Sequence, residues 1–287
     1  MKNVSQKGKS AQILRVILIT VWIICISFPI YWTLVTSFKT QVDIYGGPYF
    51  FPGIDFEPTT SAWKYLFSEN NSIFLLSLKN SIIISVVSSV FALIIGAMAA
   101  YGLSRYEYKY LGMDADGIAG TILSQRMMPP IVAVIALFIM FSSLDLLDSV
   151  WGLIIVYTWM NLPITVYLLK GFFVGIPTEL EHAAAVDGYS KFDQIRKIVL
   201  PLAAPGLATC FTLAFNFAWN EFLFALILSF QKAQTIPVLI SSMNAQMKPE
   251  WAIISALGIV AIIPPTIIAI VMDKHLVQGL SFGSASK

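Results

Sequence analysis

The chain has 287 residues, of which 57% are hydrophobic and only 12% are charged, and its mean hydropathy is +0.77. These values are outside the range of ordinary soluble domains and predict a protein that lies mostly in a lipid membrane. The formal net charge of +2, without a basic stretch interleaved with aromatic residues, argues against nucleic-acid binding.

Six apolar segments of roughly 20 residues follow one another, and each is long enough to cross a hydrocarbon core of about 30 Å as a helix. Backbone amides cannot remain unpaired in lipid, so we expect all six to be helical. The first segment follows a lysine-rich N-terminus but lacks a cleavage pattern, so we expect it to be retained rather than removed as a signal peptide. The predicted transmembrane helices are residues 14–35, 81–103, 117–141, 150–169, 199–230 and 252–272.

The placement of lysine and arginine predicts the orientation of these helices, because short loops rich in them stay in the cytoplasm. Most of these residues fall in the inner segments if the N-terminus is cytoplasmic. We therefore expect both termini in the cytoplasm of a prokaryotic cell, with the protein in its inner membrane. Residues 37–78 and 231–251 are then outer loops, and residues 177–198 face the cytosol.

Residues 177–198 form a charged, alanine-rich segment between two apolar blocks. A helix is predicted to begin at Thr178, with Glu181 at the spacing of a capping box, and to end at Gly188. A second helix is predicted to start at Ser190, paired with Asp193 at the same spacing. Three consecutive alanines leave the first helix nearly bare, which favours close approach by another protein.

The stretch PTELEHAAAVDGYSKFDQIRKIVLPLAAPG resembles the E-A-A…D-G…L-P loop in the membrane subunits of binding-protein-dependent ATP-binding-cassette importers, specifically maltose-type carbohydrate permeases. The similarity extends to FKT, RMMPP, WNEF and VQGLSFG elsewhere in the chain. It implies an all-α integral membrane protein with the type I ABC importer permease fold, in which the short helix is the coupling helix that docks on an ATPase subunit. The motif positions are Ala183, Ala184, Asp187, Gly188, Leu200 and Pro201.

One position departs from the motif, because His182 stands where the motif has its acid and Glu181 is one place earlier. Each helical residue is turned by about 100° from the last, so Glu181 points in a different direction from the motif's acid. Two roles for Glu181 remain open, contact with the ATPase or capping of the helix alone.

The same resemblance implies the partners of the chain. It implies two ATPase subunits that bind ATP and Mg²⁺, a second homologous permease subunit, an extracytoplasmic solute-binding protein, and a sugar or polyol as the solute. Residues 8–10 read GKS, but the earlier glycine of a phosphate-binding loop is absent, with Asn3 in its place. We expect no catalytic residue, no metal site and no cofactor in this chain. The two histidines are far apart in the sequence, which argues against a metal site. Cys25 and Cys210 are also far apart, so we expect no disulfide.

Polar residues within the predicted spans are candidates for a solute path, because they are costly in lipid. Asn216, Trp219 and Asn220 fall within one turn of helix and are interpreted as one face, suited to a hydroxyl-rich solute. The alternative is that the asparagines tie helices together and Trp219 packs in the core.

Arg126 is the other candidate for the solute path, and it needs an acidic or carbonyl partner within the membrane. Carbonyls freed at Pro129 and Pro130 are one such partner, with a hinge at the break. The alternative is that the span starts later and Arg126 reaches the inner surface.

Two other classes of function compete with an ABC importer subunit. An ion-coupled secondary transporter would require membrane acids paired with a coupling ion, and usually an internal repeat. An intramembrane enzyme would require a nucleophile with a base, or a metal cluster. The sequence shows none of these clearly.

Overall fold

The computed structural model describes residues 3–68, 72–244 and 249–284, with side chains over residues 11–68, 73–244 and 249–273. Within these residues there is no β-strand, only the isolated bridges Pro52–Phe56 and Tyr110–Met113. The α-helices are α1 Asn3–Thr36, α2 Gln41–Gly46, α3 Ser61–Leu66, α4 Ser72–Arg105, α5 Ala115–Ser124, α6 Pro130–Ser143, α7 Val150–Val174, α8 Thr178–Val186, α9 Lys191–Gln194, α10 Leu200–Leu202, α11 Ala204–Trp219, α12 Leu223–Leu228, α13 Ile236–Asn244 and α14 Trp251–Ser284.

Four stretches of helix are long and apolar enough to cross a membrane: Ala11–Thr36, Ile73–Arg105, Val150–Val174 and Trp251–Asp273. Two pairs of helices meet the same requirement together but are bent, by 84° between Ala115–Met127 and Pro130–Ser143 and by 74° between Lys191–Leu202 and Ala204–Trp219. Among the described residues, length and composition thus give four spans, or up to six if each bent pair is one span. The prediction of an all-α membrane fold is confirmed.

The predicted span 199–230 is not one helix. Its first residue is the last of a π turn, Ile195–Val199, and the chain then bends between α10 and α11. Pro201 and Pro205 flank this bend, and neither has an amide hydrogen to donate to a helical carbonyl.

A second interruption in the same span follows the end of α11 at Trp219. The carboxylate oxygens of Glu221 accept hydrogen bonds from the amides of Phe224 and Ala225, at 2.8 and 3.1 Å. This side chain thereby satisfies amides in the first turn of α12, which begins as a separate helix.

The predicted span 117–141 is also divided, at the position where two prolines were expected to bend it. A 3₁₀ turn, Gln125–Met127, follows α5, and Met128 is extended with φ −67° and ψ 129°. Residues that precede proline favour extended geometry, and Pro129 follows Met128 directly. Pro130 then occupies the first position of α6, where a missing amide hydrogen costs nothing.

The chain forms two compact units, and the first contains residues 1–72 and 240–262. Within it, the ammonium group of Lys39 is buried and donates to the carbonyl of Tyr49 at 2.6 Å. The same nitrogen lies 4.2 Å from the centre of the Trp32 ring. These contacts fold the segment after α1 into an ordered loop.

The second unit contains residues 73–239 and 263–287, and α7 is its most buried long helix. One cluster of buried side chains surrounds Leu153 and Tyr157 in the first half of α7, and another surrounds Leu169 and Phe173 near its end. Lys170, also buried, pairs with Asp116 of α5. The helix α7 therefore runs through the core of this unit and carries a structured segment at each end.

Candidate functional site: the coupling segment, the polar strip and the Asp148 loop

The segment of residues 177–202 follows the end of α7 and contains α8, α9 and α10. The helix α8 begins at Thr178 with Pro177 as its N-cap residue, and none of the described side chains caps it. The predicted capping box of Thr178 and Glu181 is therefore wrong. Because Pro177 occupies the capping position, the helix starts one residue earlier than the capping box requires.

The end of α8 is as predicted. Gly188 has a φ of +84°, a left-handed conformation that glycine adopts without strain. Its amide donates to the carbonyl of Ala185 at 3.1 Å, and the amide of Tyr189 donates to that of Ala184 at 3.0 Å. These two bonds form a Schellman motif, which satisfies carbonyls at the end of the helix.

The second helix of the segment also starts where the sequence predicted. The hydroxyl of Ser190 accepts a hydrogen bond from the amide of Asp193 at 3.2 Å and lies 2.8 Å from its carboxylate. Lys197 pairs with the same carboxylate at 3.0 Å. The hydrogen bond to Ser190, with that to Lys197, lowers the pKa of Asp193.

Glu181 is turned into the protein, with only 3% of its side chain exposed. Its carboxylate accepts hydrogen bonds from Arg105 Nε at 2.6 Å, from the Tyr101 hydroxyl at 2.5 Å and from Lys191 Nζ at 2.9 Å. Burial acts to raise the pKa of Glu181, but these three donors outweigh burial and hold the pKa below its usual value. We call Tyr101, Arg105, Glu181 and Lys191 the Glu181 clamp.

Arg105 extends the clamp to the end of α7. Its two Nη atoms donate to the carbonyls of Phe173, at 2.8 Å, and Ile176, at 3.1 Å. The last carbonyls of a helix have no partner within it, and a guanidinium group satisfies them while opposing the negative end of the helix dipole. Sequence reasoning used Arg105 only as evidence for orientation. The signal that it missed was a cation just after a predicted span, on the same predicted side of the membrane as the acid Glu181.

The opposite face of α8 is exposed. Glu179, His182, Ala183 and Val186 recur at the spacing of one helical face, and Val186 is 88% exposed. Ala184 is buried on the inner side with Glu181. The face that remains open to a partner therefore presents His182 where the motif has its acid.

The remaining motif residues lie in the two turns of the segment. Asp187 and Gly188 are exposed at the turn after α8. Leu200 is half-buried and Pro201 is exposed in α10, at the bend that leads to α11.

The three polar residues of α11 do not share one face. Trp219 is only 3% exposed and stacks on Phe215, with ring centres 5.9 Å apart. Asn220 is exposed, Asn216 is half-buried, and Phe217 is the exposed ring beside them. Trp219 and Asn220 are adjacent residues and so point about 100° apart, which the grouping within one turn overlooked.

The amide nitrogens of the two asparagines are engaged within α11. Asn216 Nδ2 donates to the carbonyl of Thr212 at 2.9 Å, and Asn220 Nδ2 donates to that of Asn216 at 2.8 Å. We call Asn216, Phe217 and Asn220 the polar strip. The side-chain oxygens of its two asparagines are the groups that can accept hydrogen bonds from a solute.

Arg126 has a carbonyl partner, but not at the break beside Pro129 and Pro130. Its Nη1 donates to the carbonyl of Met160 in α7 at 2.9 Å, and its guanidinium lies 4.1 Å from the centre of the Phe217 ring. A cavity of about 310 Å³ adjoins it, lined by Gly120, Leu123, Ser124, Arg126 and Met127. Arg126 therefore lies against the side chain of Phe217, the residue that follows Asn216 in the sequence.

A second hydrogen-bonded carboxylate, partly buried, lies just before the start of α7. The carboxylate of Asp148 accepts hydrogen bonds of 2.9–3.1 Å from four consecutive amides, those of Phe230, Gln231, Lys232 and Ala233. Burial acts to raise the pKa of Asp148, but the four amides outweigh burial and lower it. Asp148 has a φ of +53°. We call Asp148 and residues 229–236 the Asp148 loop.

Other side chains support the Asp148 loop. Asn80 Nδ2 in α4 donates to the carbonyls of Lys232 and Gln234, at 2.8 and 3.0 Å. The hydroxyl of Ser81 accepts a hydrogen bond from the amide of Ile236 at 2.8 Å. This loop was not identified from the sequence. Among the described residues, no group of three His, Cys, Asp or Glu side chains could hold a metal ion.

Comparison with known proteins gives consistent relatives. The family model for the binding-protein-dependent transport system inner membrane component matches residues 92–282. The sulfoquinovosyl glycerol transport system permease protein SmoH of Agrobacterium fabrum is 34% identical, over 96% of this chain and 94% of that protein. The trehalose transport system permease protein SugB of Mycobacterium tuberculosis is 34% identical, over 89% of this chain and 91% of that protein.

The fold also matches a solved structure. The crystal structure of a bacterial ABC transporter involved in the import of the acidic polysaccharide alginate contains a chain with a TM-score of 0.75 and 23% identity, covering 96% of this chain and all of that one. At that identity the likeness supports the fold alone. Because the family model matches well over half of its length, this chain is a multi-pass inner-membrane protein that belongs to the family of binding-protein-dependent transport system inner membrane components.

Proposed function

We propose that this chain is the permease subunit of an ATP-driven importer for a sugar or polyol, and that α8 is its coupling helix. The observation that carries the proposal is the division of α8 into an exposed face, ending at Val186, and a buried face that Glu181 ties to α4 and α7. A helix of this kind can bind a partner on one side and move membrane helices with the other.

The partners follow from this role. ATP hydrolysis, with Mg²⁺, takes place in two ATPase subunits, and closure of that pair moves α8 and switches the bundle between inward-open and outward-open states. A second homologous permease completes the path, and an extracytoplasmic binding protein delivers the solute. Both termini of this chain then lie in the cytoplasm. A structurally similar protein has been solved as the bacterial alginate ABC transporter in complex with an alginate pentasaccharide-bound periplasmic protein, and this supports the arrangement.

The class of solute is inferred from relatives and from α11. The names of four relatives refer to sulfoquinovosyl glycerol, trehalose, diacetylchitobiose and trehalose/maltose, all of which are glycosides. The side-chain oxygens of half-buried Asn216 and exposed Asn220, with Arg126 against Phe217, offer acceptors and donors to a hydroxyl-rich solute. Trp219 supports this strip from the core.

The test is transport by the reconstituted complex. The chain is co-expressed with the second permease and the ATPase from its gene neighbourhood, purified into vesicles, and supplied with the binding protein and a panel of labelled sugars and polyols. We expect uptake of one class that requires ATP and all partners. Accumulation by this chain alone, driven by an ion gradient, would instead support a secondary transporter.

A further inference from the structure

Arg105 is the residue at which α4, α7 and α8 meet. Three of its nitrogens serve three acceptors: Nε donates to Glu181 of α8, and the Nη atoms donate to the carbonyls of Phe173 in α7 and of Ile176 just after it. Both ionised side chains are buried, with 6% of Arg105 and 3% of Glu181 exposed. The pair is therefore shielded from water and from salt, unlike an ion pair on the surface.

The helix α8 has little else to hold it to the rest of the protein. Of its nine residues, all of them described, only Glu181 and Ala184 are buried. An alanine side chain buries little apolar area, so its packing contributes weakly. The covalent link from α7 to α8 is residues 175–177, and its buried residue Ile176 is itself held by Arg105 through a hydrogen bond to its carbonyl. The position of α8 therefore depends on the polar contacts of Glu181.

The other members of the clamp add α9 to the same junction. Lys191 of α9 donates to Glu181 Oε2, and Tyr101, one turn before Arg105 in α4, donates to the same oxygen. The Tyr101 ring also packs edge-on against Phe173 of α7, with ring centres 5.8 Å apart. The carboxylate thus joins α4, α8 and α9, and Arg105 and Tyr101 connect this junction to α7.

We propose that Arg105 and Glu181 are the positioning residues that transmit movement of α8 to α4 and α7. This inference rests on the proposed function, and neither residue touches the solute or nucleotide. When the ATPase moves α8, the clamp moves the ends of α4 and α7 with it. Without the clamp, α8 remains docked but its movement is no longer passed on to α4 and α7, so that nucleotide is consumed without transport.

The geometry makes a specific prediction for Arg105→Lys. Lysine keeps the charge but has a single nitrogen, whereas the planar guanidinium reaches three acceptors in fixed directions. We expect Arg105→Lys to fail as Glu181→Gln does, because the connection to α7 needs the fork as well as the charge.

The experiment uses the complete transporter in vesicles and measures the number of solute molecules imported per ATP hydrolysed. For Glu181→Gln and Arg105→Lys we expect the ATPase to co-purify normally and the ratio to fall about tenfold, within the usual range of coupling energies. The matched control is Asp193→Asn, which removes the acid of an exposed pair in the same segment, its side chain 38% exposed and that of Lys197 56% exposed. We expect this control to keep the ratio of the unsubstituted transporter.

A double variant separates folding from coupling. Replacing both charges, Arg105→Met with Glu181→Leu, leaves no unpaired buried charge, and such replacements are often tolerated. We expect normal membrane levels and normal co-purification of the ATPase, with the ratio still low. A ratio restored to that of the unsubstituted transporter would show that the clamp serves stability alone and would overturn the inference.

Two outcomes distinguish failure of this inference from failure of the proposed function. If the unsubstituted transporter couples ATP hydrolysis to uptake and Glu181→Gln couples equally well, only the inference fails. If the unsubstituted chain neither binds an ATPase nor supports ATP-dependent uptake, the proposed function fails as well.

Discussion

The Glu181 clamp and the Asp148 loop solve the same problem in two ways. Each holds a buried or partly buried carboxylate, one beyond the end of α7 and the other just before its start, and α7 has 25 residues, or about 38 Å of helix. Glu181 is satisfied by three side chains, whereas Asp148 is satisfied by four main-chain amides. The first arrangement joins helices, and the second orders a loop.

The difference predicts different responses to loss of the acid. Without Glu181, the charge of Arg105 remains buried beside an apolar core. Without Asp148, the amides of Phe230, Gln231 and Lys232 lie where water can reach them, because these hydrogen bonds are exposed. An uncompensated buried charge costs far more than a rehydrated amide.

The largest effect is expected for Glu181→Leu. Removal of one partner from a buried ion pair should lower the free energy of unfolding by about 3 kcal/mol. The measurement is thermal unfolding of the purified transporter in detergent, compared with the double variant Arg105→Met with Glu181→Leu. If the Glu181→Leu variant were as stable as the double variant, the charge of Arg105 would not be held in the buried site when its partner is removed.

Each of the two arrangements includes a residue in a left-handed conformation, Gly188 after α8 and Asp148 before α7. The next effect concerns Gly188. Gly188→Leu should cost about 1–2 kcal/mol from backbone strain and place a bulky side chain on the exposed turn. We expect the protein to reach the membrane but to lose the ATPase on purification and to lose solute uptake. Gly188→Asn is the control, because asparagine tolerates this conformation; uptake by the leucine variant would contradict docking at this turn.

A smaller effect is expected for Asp148→Asn, about 1 kcal/mol, because the amide side chain keeps one acceptor oxygen while the charge is lost. The loss should be local, and hydrogen exchange at the amides of residues 230–233 measures it. Coupling through the Glu181 clamp should be unchanged in this variant. Slow exchange equal to that of the original chain would show that the loop is held by Asn80 and Ser81 instead.

The pH dependence should be flat at both carboxylates over the physiological range. Both have a lowered pKa in the folded protein, so each contributes stability that is complete above its unfolded pKa of about 4 and is lost only as the pH falls through the folded pKa. We expect the transporter to have equal unfolding temperatures at pH 6 and pH 8. The single variants Glu181→Leu and Asp148→Asn, measured at both pH values, control for the titration of other groups. A loss of stability between these values that disappears in either variant would refute the assignment.

The smallest effect is expected for Lys191→Met. This side chain is 50% exposed, and pairs with an exposed partner contribute about 0.5 kcal/mol. Because Arg105 and Tyr101 still bind Glu181, the imported solute per ATP should be nearly unchanged. A loss as large as that of Glu181→Gln would show that α9 rather than α4 is the principal attachment of α8.

Much of the fold could be predicted from the sequence because its signals are local. Runs of apolar residues identify the long helices, and the prolines at 129–130 identify one of the two bent pairs. Gly188 and Ser190 identify the turn and the second helix of the coupling segment. Each of these signals depends on residues within a few positions of one another.

The errors arose where the deciding partner was distant or was main chain. Glu181 was assigned to a cap because Thr178 has the required spacing, yet Arg105 lies 76 residues earlier. The prediction of a continuous span 199–230 overlooked the hydrogen bonds that Glu221 accepts from amides in the first turn of α12. The Asp148 loop could not be predicted because its donors are backbone amides. Any sequence at 230–233 without proline supplies the same donors.

The exposed face of α8 shares no side chain with its buried face. Under the proposed function, substitutions at Glu179, His182, Ala183 and Val186 alter which ATPase is recognised while the attachment to the membrane helices stays intact. Partner recognition and attachment to α4 and α7 can then diverge independently, and His182 in place of the motif's acid lies on the recognition surface.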